Sequence, residues 1–283
     1  MTPDLGRVGI WSAELRFGEP AAVAEAARTL DELGFPAIWF PGGLDPDAMG
    51  RVDLLLDATE NAVIGTGIVN VWKDSPEAVS SWWRGLPTDR QARVMLGLGV
   101  SHGPAIEEYN RPLAKMRDYL DGLDAGGVPT SHRCLAALGP KMLDLARDRT
   151  AGSHPFLGSV QHTALARERL GPNALLAPEL GVVLETDPDK ARAIALQTLS
   201  LYFTLPNYVN NWRRLGFSEE QVTTGGDQLV DALFAWGDMA RIKDRIAEHH
   251  AAGADHVCLQ VLREPTAAGM PIDEWTQLAN ALL

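Results

Sequence analysis

Short β-like runs alternate with longer stretches of helical periodicity eight times along these 283 residues, and that alternation constrains the fold more than any other feature. It is the sequence form of βαβ units, because parallel strands need helical crossovers to connect them. The strand candidates are 7–11 (RVGIW), 37–40 (AIWF), 62–71 (AVIGTGIVNV), 94–100 (VMLGLGV), 133–138 (RCLAAL), 154–158 (HPFLG), 177–185 (APELGVVLE) and 255–262 (DHVCLQVL). Between them, AAVAEAARTLDELG (21–34) carries apolar residues at helical spacing and ends on Gly34, suited to a C-cap. SPEAVSSWWRGLPTDRQ reads as a helix opened by Pro76 at a first-turn position. DPDKARAIALQTLSLYFTLPNYVNNWRRLG reads as a further helix, and a polar insert separates it from the helix DMARIKDRIAEHHAAG. Eight strand-helix units make a (β/α)8 TIM barrel with an insertion between the seventh and eighth strands; an open doubly wound sheet is the weaker alternative. At 46% hydrophobic content the chain can bury that barrel as a single domain, 1–283.

Charge and cysteine usage narrow the partners. A net charge of -12 and a pI near 5.0 oppose a nucleic-acid partner, since a polyanion needs clustered Lys and Arg. One small anionic ligand stays open, because backbone amides at a helix N-terminus hold phosphate without lysine. Cys134 and Cys258 lie in apolar runs far from any Cys-x-x-Cys spacing and read as buried reduced thiols. No basic start precedes a long apolar segment, and no run approaches eighteen apolar residues. The expectation is a soluble cytoplasmic protein without membrane attachment.

A barrel places its active site at the carboxyl ends of its strands. The candidates there are 11–14 after the first strand, 41–43 after the second, Asn70 to Trp72 after the third and Val100 to His102 after the fourth. Further round come Gly139 and Pro140, the segment from His154 to His162, Glu185, and 260–263. This set is aromatic, rich in glycine and poor in carboxylates at ligand spacing, which suits a flat conjugated cofactor better than a metal ion. No metal site is expected. Asp45 and Asp47 flank Pro46 and read as a turn, with no further acid at calcium-loop spacing.

Four stretches carry a family resemblance: ELGFPAIWFP, IGTGIVNVW, RVMLGLGVSH, and the run HRCLAALGPKMLDLARDRTAGSHPFLGSVQHTALARERLG. They are similar to the luciferase-like monooxygenase superfamily, in its actinobacterial branch that uses the deazaflavin coenzyme F-420. The resemblance implies an oxidoreductase moving a hydride between F-420 and a small organic substrate, with FMN as the alternative cofactor of a monooxygenase on the same scaffold. It implies a bulged third strand holding a cis peptide, by position Gly67-Ile68, against the cofactor ring beside Asn70. It implies a phosphate-binding turn at Gly97, Gly99, Val100 and Ser101, further cofactor contacts at Gly139, Pro140, His154 and His162, and pairing of two copies through outer helices. The sequence departs from the related sugar-phosphate dehydrogenases at Gly42-Gly43, where they have an acid-histidine pair, and at His102, where they have a glutamate. The resemblance therefore does not carry over that subgroup's substrate or proton donor. A barrel that binds a flavin-like ligand without turnover is the non-enzyme alternative.

GLGVSHG (97–103) also contains Gly-x-Ser-x-Gly, the spacing of a hydrolase nucleophile elbow, between a strand and the helix-like start PAIEEY. A serine hydrolase using Ser101 would need a downstream acid and histidine, for example Asp231 and His256, and an upstream oxyanion loop of the His-Gly-Gly type, which the sequence lacks. The dinucleotide reading fails because Gly97, Gly99 and Gly103 give G-x-G-x-x-x-G. An anion cradle remains: Gly97 and Gly99 admit the cofactor closely and Ser101 meets its phosphodiester. His102 then either transfers the proton that accompanies hydride transfer or touches the cofactor tail. His249 and His250 end a helix, where a cation suits the dipole. Trp82 and Trp83 pack against the barrel, whereas Trp11 and Trp72 are assigned to the substrate pocket.

Overall fold

The computed structural model describes residues 1–43, 47–102, 106 and 109–283. Their strand segments are β1 (Val8–Trp11), β2 (Ala37–Phe40), β3 (Val63–Thr66), β4 (Val69–Asn70), β5 (Val94–Gly99), β6 (Arg133–Leu135), β7 (Gly152–Ser153), β8 (Leu175–Leu176), β9 (Glu179–Val183), β10 (Phe234–Trp236) and β11 (Val257–Val261). They form one parallel sheet in the order β10-β9-β11-β1-β2-β3-β5-β6-β7-β8, with β4 also on β5. Only two residues separate β8 from β9, and the backbone around them bonds both ways. Ala177 N donates to Ser153 O and Glu179 N to Pro155 O on one side; Cys258 N donates to Pro178 O on the other. The sheet thus curls back on itself as an α/β barrel of TIM type, with helices outside.

In-register neighbours of parallel strands point to the same face, so the pairing defines the interior. Trp11, Trp39, Gly65 and Met95 are successive partners across β1, β2, β3 and β5. Glycine is needed at position 65 because a Cβ there would lie 2.3 Å from the Trp39 ring. Alternate residues such as Ile10, Ile38, Ile64 and Leu96 are fully buried in the layer beneath the helices. Cys134 and Cys258 are free, buried thiols inside the barrel, and burial pushes both thiols up in pKa.

Several boundaries differ from the pattern-based expectation for identifiable reasons. The third candidate strand is split into β3 and β4 around Gly67-Ile68, and the seventh is shortened to β9, which begins after Pro178, a residue with no N–H to donate, with the unexpected β8 just before it. The sixth sits at 152–153 rather than 154–158, because Pro155 and the left-handed Leu157 (φ 51°) leave the sheet. SPEAVSSWWRGLPTDRQ forms two helices, Pro76–Gly85 and Thr88–Gln91, since Leu86 precedes a proline and is held extended. The same effect at Leu205, before Pro206, divides the long helix into Pro188–Leu199 and Pro206–Arg214 with a 3-10 turn, Tyr202–Thr204, between. The polar insert contains the helices Glu219–Thr224 and Asp227–Leu233 and the unexpected β10. His249 is not a dipole-compensating cation. It is fully buried, bonded through Nδ1 to Thr163, and burial lowers its pKa to about 3. His250 is likewise shifted down by burial. Asp45, Pro46, Gly103 and most of 104–109 lie outside the described residues, while Asp47 caps the helix Ala48–Ala58 by accepting from Gly50 N. No helix among the described residues is long and apolar enough to cross a membrane.

Candidate functional site

A cavity of about 790 Å³ opens at the carboxyl ends of the strands. Its floor comes from Trp11 at the end of β1, His154 and Phe156 after β7, and Gln260 of β11. One wall is Gly67, Ile68 and Asn70, and the turn after β5 adds Gly99, Val100, Ser101 and His102. Residues 201–214, which crosses over from the β9 side, supplies Tyr202, Leu205, Asn207, Tyr208 and Arg214.

The Gly67-Ile68 peptide bond is cis, as the third-strand resemblance implies. Glycines on both sides let it project into the cavity. A Cβ on Gly42 would stand 2.3 Å from Ile68 O, to which Gly42 N donates at 3.0 Å, and a Cβ on Gly99 would run into the Ile68 side chain at 2.5 Å. The Gly42-Gly43 departure from the dehydrogenase pattern therefore has a local cause at Gly42, because a larger residue there would collide with the bulge. Gly67 itself has Trp11 Nε1 and His154 Nε2 2.4 and 2.8 Å from where its Cβ would be.

His154 donates from Nδ1 to Ala177 O at 2.7 Å, leaving Nε2 as an acceptor, and burial lowers its pKa to about 4. His102 has its pKa lowered by burial, partly offset by a side-chain hydrogen bond with Asn207; its ring centroid lies 5.5 Å from that of Tyr208. At neutral pH it is a neutral imidazole able to accept a proton. Ser101 is held at φ 53°, the left-handed conformation that turns the chain sharply after β5.

Of the residues singled out from sequence, Trp11, Gly67, Ile68, Asn70, Gly99, Val100, Ser101, His102, Gly139 and His154 line this cavity. Four do not. Gly97 serves close approach between β5 and β3, since a Cβ there would sit 2.0 Å from Thr66 O. Pro140 is exposed as the first residue of the helix Pro140–Arg149. His162 is buried behind the wall, bonded through Nε2 to Leu138 O. Trp72 turns away, donating from Nε1 to Val100 O and packing on Tyr109 and the Lys115 ammonium in a separate small cleft.

Sequence reasoning placed Phe156 only within the 154–162 segment and missed Tyr202, Tyr208, Asn207 and Arg214. The available signal was Pro206 inside an aromatic run, which argues against one continuous helix. It also missed Glu179, whose buried carboxyl accepts from Leu157 N and is pushed up to about 8 by desolvation. The hydrolase constellation does not assemble. Asp231 is engaged by Arg192 and Trp236, and His256 is buried in the barrel, accepting from Trp39 Nε1 and bonded to Gly6 O. Among the described residues no group of three or more His, Cys, Asp and Glu is placed to hold a metal ion.

The lining fits a flat conjugated ring. The volume is within the usual range for a small-molecule site, the walls are apolar and aromatic, and the buried Asn70 Nδ2 and His102 Nδ1 have no partner among the described residues. No family model matches the chain, and no curated protein matches it. Solved structures do. A coenzyme F-420 dependent tetrahydromethanopterin reductase from Methanopyrus kandleri is 17% identical, with 98% of each chain covered and a TM-score of 0.74. An F-420-dependent secondary alcohol dehydrogenase is 14% identical over 100% of this chain and 98% of its own, with a TM-score of 0.72. A monooxygenase from Streptomyces bottropensis is 15% identical over 98% of each chain, with a TM-score of 0.66. This chain therefore has the luciferase-like barrel fold that F-420-dependent oxidoreductases share with monooxygenases.

Proposed function

We propose that residues 1–283 form one luciferase-like (β/α)8 oxidoreductase, with an insertion between β9 and β11 whose residues 201–214 lie over its mouth. In this reading it binds F-420 and transfers a hydride between that coenzyme and a small organic substrate. The observation that carries the reading is the apolar, aromatic cavity at the carboxyl ends of parallel strands, walled by Gly67, Ile68, Asn70 and Gly99. The deazaflavin, when bound, supplies a ring carbon that accepts or gives hydride. The chain's own residues do the rest. Gly67, Ile68 and Gly99 form the wall against which the ring lies, and Ser101 offers its hydroxyl to the phosphodiester. The aromatic side chains of 201–208 exclude water. His102, neutral and bonded to Asn207, exchanges the proton that must accompany hydride transfer.

FMN is the second reading, because its ring has the same flat tricyclic shape and one solved structure of this fold, the oxygenating component of a 3,6-diketocamphane monooxygenase, is described in complex with FMN. The deciding experiment titrates the purified protein with F-420 and with FMN while following ligand fluorescence. Saturable binding of F-420 is expected. Binding of FMN alone overturns the deazaflavin assignment in favour of the monooxygenase, and tight F-420 binding without hydride exchange to any carbonyl or alcohol identifies a binder without turnover.

A further inference from the structure

Among the described residues that line the cavity, one carries a formal charge at neutral pH: Arg214, near the carboxyl end of the helix Pro206–Arg214. Its neighbour in sequence, Arg213, is engaged by Glu219 at 2.6 Å, as Arg133, Arg167 and Arg192 are engaged by aspartates. Arg214 has no carboxylate partner among the described residues. One of its nitrogens instead donates to Asn211 Oδ1 at 3.1 Å. Asn211 is 2% exposed and its Nδ2 has no partner among the described residues, so a buried amide is committed to orienting this guanidinium. Partial burial without a countercharge lowers the Arg214 pKa. Its terminal nitrogen lies 3.9 Å from the position a Gly139 Cβ would take, beside the start of the helix Pro140–Arg149, which has no side-chain cap.

We propose that Arg214 is an anchor for a phosphate or carboxylate group on a ligand whose aromatic or apolar body fills the cavity. A guanidinium has five N–H donors in a planar fork suited to two anion oxygens, and Asn211 occupies only one of them. The rest of the described lining is uncharged, so the anionic end is fixed at Arg214 while the body lies toward Trp11 and Phe156. This orients an amphiphilic ligand in one direction. The anion has two possible sources, the tail of the cofactor and the substrate. The first rests on the F-420 reading above; the second does not.

Arg214→Gln and Arg214→Lys separate them. Fluorescence titration compares F-420 with the same deazaflavin core lacking the phosphate tail, and calorimetry on the cofactor-free protein compares phenyl phosphate with phenol. The glutamine variant is expected to weaken one of the two phosphate-bearing probes roughly tenfold or more, with the phosphate-free partner unchanged and the lysine variant partly restored. A loss confined to F-420 assigns the cofactor tail, and a loss confined to phenyl phosphate assigns the substrate. Unaltered affinity for both anions, equal losses for the phosphate-free probes, or no saturable binding of either anion to the unsubstituted protein overturns the anchor. Failure of F-420 alone to bind sinks the deazaflavin reading, while the phenyl phosphate arm still decides Arg214.

Discussion

His154 lies stacked on Trp39 inside the barrel, with ring centroids 4.5 Å apart and planes 16° from parallel. Trp39 in turn donates from Nε1 to His256 Nε2 at 3.2 Å, and His256 is tied through Nδ1 to Gly6 O. This column of rings runs up the barrel interior and ends at His154 Nε2, directly beneath Gly67. The wall of the cavity is thus supported from below by rigid aromatic side chains rather than by adaptable aliphatic ones.

Gly67→Ala tests that support. The added methyl would meet Trp11 Nε1 and His154 Nε2 at 2.4 and 2.8 Å, and His154 cannot retreat without disturbing its stack on Trp39. Overpacking of this kind costs about 1 to 3 kcal/mol. A fall of several degrees in Tm together with loss of F-420 binding is expected. Unchanged Tm and retained affinity would show that the interior column does not bear on the wall.

Stability should peak near pH 6.5. His154 and His256 are held by burial at pKa values of about 4 and His249 at about 3, whereas the unfolded chain takes up those protons near 6.5. The unfolded state binds more protons between those limits, so stability rises with pH up to about 6.5. Glu179 has the opposite sign. Its folded pKa near 8 lies above the ordinary carboxylate value, so the folded state holds a proton that the unfolded chain has lost, and stability falls as pH rises toward 8. Chemical denaturation at a series of pH values should give an alkaline limb of about 1.4 kcal/mol per pH unit, and Glu179→Gln should flatten it. A stability that climbs from pH 6.5 to 8 would contradict the buried acid.

Ser101 is expected to contact phosphate and to perform no covalent chemistry. Ser101→Ala should weaken cofactor binding by about 1 to 3 kcal/mol. Because Ser101 has φ 53°, Ser101→Gly is the control that removes the hydroxyl without a Cβ in the left-handed region. Both variants should lose similar affinity, and serine-directed phosphonates should leave the protein unlabelled. Stoichiometric labelling of Ser101 with loss of an esterase activity would restore the hydrolase reading.

His102→Ala should lower turnover on the order of 10²-fold with cofactor affinity largely kept. Since burial lowers the pKa of His102, the limb of the pH-rate profile that it governs should fall below the ordinary histidine value near 6.5 and vanish in the variant. Full turnover restored by saturating cofactor would place His102 with Ser101 as an anion contact instead.

The alternation of strands and helices was legible because it follows from local periodicity, which requires no knowledge of neighbours. AIWF coincides with β2, and Gly34, at φ 91°, ends its helix as its position suggested. The cis peptide at Gly67-Ile68 was legible through resemblance alone. What the sequence by itself could not separate is direction: Gly97 and Gly99 are two residues apart and look alike, yet one serves packing of β5 on β3 and the other borders the cavity. Trp11 ends β1 and Trp72 lies in the turn after β4, and only Trp11 faces inward, because Trp72 finds a hydrogen bond to Val100 O on the far side of the wall. Arg214 and Glu179 were invisible for the same reason. Their roles depend on which side chains stand around them in space, and burial, which sets the charge of one and leaves the other without a countercharge, is a property of the assembled barrel rather than of any segment.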